Sequence, residues 1–131
     1  MQRILESRGI VASEFRARRL DRDILSRADL VITAEREHRA FVSRLSPEHA
    51  TKSFTLRQLT RLLAVPSPVT PSGAPVDRVL AHAQASRGLG GPASGDDDIA
   101  DPWGRRRVFY RRTANQLDLA LDDLTVALTA V

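Results

Sequence analysis

A chain of 131 residues has room for one compact core and not for two typical ones, and its net charge of +4 rests almost wholly on arginine, with Lys52 the single lysine. Cysteine is absent, which excludes disulfides, thiolate metal sites and thiol nucleophiles within these residues. No apolar run approaches the roughly 18 residues of a membrane span and the first residues lack a signal peptide's apolar stretch, so the expectation is a soluble, cytoplasmic chain without membrane contact.

From Gln2 to Arg8 the placement of Ile4 and Leu5 predicts a short amphipathic helix that Gly9 stops. A basic segment, Ser13 to Leu20, leads to Asp21, an N-cap for a second helix with Ile24, Leu25 and Ala28 on one face. The run DLVIT, residues 29 to 33, reads as a strand buried on both faces of a parallel sheet. Thr33 is then a cap for a helix from Glu35 to Leu45, whose stripe takes in Ala34, His38, Phe41, Val42 and Leu45 and which ends before Pro47.

TKSFTL, residues 51 to 56, alternates like a second strand, and strand, helix, strand in this order implies a βαβ unit with parallel strands. Arg57 to Ala64 continues as a helix with Leu59, Leu62 and Leu63 inward, until Pro66, Pro68 and Pro71 end it. Val76 to Ser86 is helical through Val79, Leu80 and Ala83, and 87–98, Gly-rich and then acidic, is expected to be an exposed flexible loop. Arg106 to Leu128 is a long amphipathic helix carrying Leu117, Leu121, Leu124 and Leu128.

Several motifs invite chemistry and are better explained without it. The glycines from Gly88 onward match a relaxed dinucleotide fingerprint, but they follow no strand and lead into Asp96, Asp97 and Asp98, which repel a pyrophosphate. His38, His49 and His82 lack metal-ligand spacing, so no metal is expected, and no G-x-S-x-G elbow presents a serine. Arg105, Arg106, Arg107, Arg111 and Arg112 with Trp103, Phe109 and Tyr110 are suited to nucleic acid, yet a solvated first helical turn accounts for them, although arginines there oppose the helix dipole unless anions or Asp96 to Asp98 compensate. Asp101-Pro102-Trp103, taken alone, is a helix cap with proline at the first helical position.

Read together, FRARRL (15–20), ADLVITAEREH (28–38), FTLRQL (54–59) and IADPWG (99–104) followed by Tyr110 resemble the later part of a low-molecular-weight protein tyrosine phosphatase. The resemblance covers nearly the whole chain and implies an α/β fold, an incomplete doubly wound parallel sheet with a long C-terminal helix, as one domain over 1–131. It also implies that Asp101 is the general acid that protonates a leaving phenolic oxygen, that Trp103 lines the substrate cleft, and that Pro102 fixes the loop between them. The partner would be a phosphorylated protein or a small phosphomonoester, with no cofactor. The family's first strand and its Cys-x-x-x-x-x-Arg phosphate loop have no counterpart here, so the chain reads as a C-terminal portion, a fragment or a start placed too far downstream, inactive alone and lacking roughly one βαβ unit. A non-catalytic binding module, or an arsenate reductase-like protein of the same fold, are the alternatives. A two-stranded sheet would leave an edge open through which the chain could dimerise.

Overall fold

Asp21 sits in extended backbone and its carboxylate accepts the Ile24 amide at 2.8 Å, the bond that starts a helix by satisfying an orphan donor. Such local signals recur through the computed structural model, which describes residues 2–89 and 97–130. Six α-helices are described: α1 (Gln2–Ser7), α2 (Arg22–Arg27), α3 (Arg36–Leu45), α4 (Leu56–Leu63), α5 (Pro75–Ala85) and α6 (Arg107–Thr129). Two strands, β1 (Val31–Thr33) and β2 (Ser53–Thr55), and a 3-10 turn at Pro47–Lys52 complete the described elements. The protein is thus mixed α/β, mostly helical, with a two-stranded parallel sheet in which Val31 faces Ser53 and Thr33 faces Thr55.

The two strands are unequally covered. Ser53, Phe54 and Thr55 of β2 are all fully buried, whereas Ile32 at the centre of β1 is 41% exposed. The expectation that 29–33 is buried on both faces therefore fails: β1 pairs with β2 on one side and touches α3, yet Ile32 still reaches solvent. Part of the predicted stripe on α3 is also exposed, since Val42 is buried while His38 and Phe41 face solvent. The second strand is shorter than TKSFTL because Thr51 and Lys52 finish the 3-10 turn and Leu56 already belongs to α4.

The core lies between β2 and a layer formed by α4, α5 and α6. Leu56, Leu59 and Leu62 recur every three residues along α4 and are all buried, as an amphipathic helix requires. Thr55 caps this helix by accepting the Gln58 amide. Phe54 is fully buried under the Arg87 guanidinium, 4.2 Å from its ring centre, and truncating such a ring costs about 3–5 kcal/mol. Along α6, Thr113, Ala114, Ala120 and Leu124 form the buried stripe; Leu121, expected inward, is 48% exposed because the small alanines bring the helix close to the core on a rotated face.

Of the segment 87–98, residues 90–96 lie outside the described residues, and with them most of the glycine-rich fingerprint and Asp96. Gly88 follows helix α5 in the left-handed region, φ +85. The acidic end of the segment is not a free loop. Asp97 is buried against Arg61 at 2.8 Å, and Asp98 binds Arg36. Among the described residues no helix is long and apolar enough to cross a membrane.

Candidate functional site

Residues 97–102 cross the carboxyl ends of the parallel strands and are fastened there from three directions. The Ile99 amide donates to the Ala34 carbonyl at 2.9 Å, just beyond β1. The Asp98 carboxylate accepts the Arg36 amide at 2.7 Å and also pairs with that residue's guanidinium, so it caps α3 from a distance. Thr33, expected to be the cap, instead donates its hydroxyl to the carbonyls of Glu35 and Phe54. The Arg36 hydrogen bonds hold the Asp98 carboxyl below its ordinary range, and the same contact raises the Arg36 guanidinium. Thr113 of α6 donates to the Ala100 carbonyl from the other side.

Asp101 follows directly. Its carboxylate accepts the Trp103 amide at 2.9 Å, an Asx-type turn, and the Arg105 amide then donates to the Pro102 carbonyl while Gly104 adopts φ +71. Asp101 is therefore not the cap of the last helix, which begins at Arg107 with Arg106 in the cap position. The local hydrogen bond orients the carboxylate through one oxygen, and buried Pro102 holds the turn rigid.

A pocket of about 300 Å³ opens beside this turn. Asp101 and Pro102 form one wall, Arg57, Arg105 and Arg112 supply positive charge, and Phe109 gives an aromatic surface on which Arg105 rests, 5.5 Å from the ring centre. Asp98 also lines the pocket, its charge matched by Arg36. Trp103 does not contribute: it is 84% exposed and is not among the lining residues, so the aromatic surface of the pocket comes from Phe109 instead. The arginines at the start of α6 are not compensated by Asp97 and Asp98, which are engaged with Arg61 and Arg36.

Three guanidinium groups around a small cavity favour a phosphate or carboxylate, because each presents a planar fork of donors. A carboxylate at the rim can pass a proton to or from such a ligand. The described residues include no group of three or more metal-binding side chains. His82, one of the three histidines, contacts the Val65 carbonyl at 2.9 Å and ties α5 to the end of α4.

No match relates this chain to a known family. Family models, curated proteins and solved structures were each compared with it, and none matches. The candidate site thus stands on its geometry. Sequence patterning singled out Asp101 and Pro102 but gave Arg57 only a place at the start of a helix, and Arg112 only a place in a basic run. Their convergence depends on how α4 and α6 pack, which no local pattern encodes.

Proposed function

We propose that this chain carries the general-acid side of a low-molecular-weight protein tyrosine phosphatase-like domain, acting on phosphomonoesters when a nucleophile is supplied. The observation that carries the reading is the place of Asp101, on the rim of an arginine-lined pocket at the carboxyl ends of parallel strands, where open α/β sheets bind their ligands. In this reading Arg57, Arg105 and Arg112 attract the phosphoryl group, Phe109 supports the aromatic leaving group, and Asp101 protonates the departing oxygen. The sheet is completed on the free side of β1 by a strand bearing a Cys-x-x-x-x-x-Arg loop, giving the doubly wound arrangement. The exposure of Ile32 beside a fully buried β2 supports that placement.

With no cysteine in its 131 residues, the chain by itself binds a phosphomonoester and leaves it intact. An aryl phosphate incubated with it should therefore show no hydrolysis above buffer. Fused to a strand, phosphate loop and helix of the family type, it should gain activity. In that fusion Asp101→Asn should slow esters with poor leaving groups by about 10² to 10⁴, and those with good leaving groups far less. Equal slowing across leaving groups would remove Asp101 from the role of proton donor, and turnover by the unfused chain that disappears with Asp101→Asn would refute the dependence on an added nucleophile.

A further inference from the structure

Helix α6 has two faces of different character. Thr113, Ala114, Ala120 and Leu124 are buried on one. On the opposite face Val108, Leu119 and Val126 are 63%, 70% and 68% exposed. They stand about three and then about two helical turns apart, so they lie on a single line along the helix. Arg112, Asn115 and Asp122 fall on the same line, and the six positions are separated by steps of four, three, four, three and four residues, the spacing of a coiled-coil seam.

Charge is segregated along this helix. Arg107, Arg111 and Arg112 belong to its first half, and Asp118, Asp122 and Asp123 to its second. We infer that α6 is a self-association surface whose partner is α6 of a second copy of this chain, running antiparallel. A parallel pair would stack like charges on one another, at a cost, whereas an antiparallel pair sets the basic half of each helix against the acidic half of the other. With the two-fold axis level with Leu117, Val108 meets Val126, Arg112 meets Asp122 and Asn115 meets Leu119, so the valine and the charged layers are matched in one register. Sliding the helices by one heptad sets Arg112 against Asn115 in one direction and Asp122 against Leu119 in the other, so the Arg112–Asp122 layers are lost either way.

The same face bears a groove of about 640 Å³ lined by Arg107, Val108, Arg111, Asn115 and Leu119, among others. Its basic walls and aliphatic floor suit the acidic end of the partner helix with Val126 at its centre. The surface lies away from the buried stripe that packs on α4 and α5, so pairing requires no unfolding. This proposal goes beyond the phosphatase reading; the two share Arg112, which lines both the pocket beside Asp101 and this groove.

Sedimentation equilibrium on the chain, at low salt and over a range of concentrations, should show reversible dimers that weaken as salt rises. Asp122→Arg places arginine opposite arginine and Arg112→Asp places aspartate opposite aspartate, so each variant alone should dimerise more than about tenfold more weakly. An equimolar mixture of the two should recover dimers, because each damaged layer is then oppositely charged again. Circular dichroism checks that both variants remain helical, and recovery on mixing shows that they are folded. Dimers that survive both substitutions unchanged would overturn the proposal, since pairing through the free side of β1 is indifferent to these charges. So would a mixture that stays monomeric, or a wild-type chain that remains monomeric and gains mass only when a DNA duplex is added.

Discussion

Asp97 and Asp98 are adjacent in the chain and diverge in space: the first is buried with Arg61 of α4 and the second reaches Arg36 at the start of α3. Asp98 satisfies an orphan amide as well as a guanidinium, and a side-chain cap alone is worth about 1 kcal/mol, so Asp98→Ala should lower the melting temperature measurably. Its folded pKa lies below the unfolded value, so the stabilisation from its charge is present above the ordinary aspartate range, about 3.9, and is lost as the pH falls through the lower folded value. Thermal melts of wild type and Asp98→Ala across pH 2 to 7 should therefore converge at the acid end; a gap that widened toward low pH would contradict the assignment. None of this was legible in the sequence. The three aspartates read as a solvated run because the partner of Asp98 lies 62 residues away, and pairing at that distance is decided by packing. Asp101 is the contrasting case: its bond to the Trp103 amide is local, so the Asp-Pro signal located a real turn even though no helix begins there.

At the scale of elements, patterning served best where the determinant lay within a few residues. Asp21 capping α2, the stop at Gly9, the proline exit after α4 and the leucine spacing of α4 were all readable, and parallel strands followed from their order with α3 between them. The 3-10 turn at Pro47–Lys52 was not, because Thr51 and Lys52 have the alternation of a strand and take turn geometry only through the packing of that segment on α3. Helix α1 was read correctly as a helix, yet it contributes no buried residue and is tethered to α6 by an exposed Arg8–Asp118 pair. Exposed pairs contribute about 0–1 kcal/mol. Deleting residues 2–8 should consequently lower the free energy of urea unfolding by no more than that, whereas Leu59→Ala, at a fully buried position of α4, should cost about 2–5 kcal/mol. A large loss on deletion would mean that α1 packs more intimately than its exposure indicates.

For the molecule as a whole, the asymmetry of the sheet is the dominant feature. The one strand is enclosed by helices, and the other presents Ile32 to solvent, with Phe41 of α3 also exposed. An unpaired apolar strand is a template for further pairing. Supplying a strand on the free side of β1 should raise the melting temperature, and in the phosphatase reading it should do so together with the appearance of activity, because the same segment completes the sheet and brings the nucleophile.

The fastening of residues 97–99 onto α3 and α4 also orders events in time. The contacts from Asp21 to Leu63 span short loops, and a βαβ unit of this kind closes early, whereas the bonds from Asp97, Asp98 and Ile99 bridge far longer stretches of chain and are made after most of the entropy of loop closure has been lost. Interactions absent from the transition state act on the rate of escape from the native state and hardly on the rate of arrival. Asp98→Ala should accordingly leave the refolding limb of a stopped-flow chevron almost unchanged and steepen the loss of native protein by raising the unfolding rate. The turn that bears Asp101 would then be the last part of the site to assemble and the first to come apart.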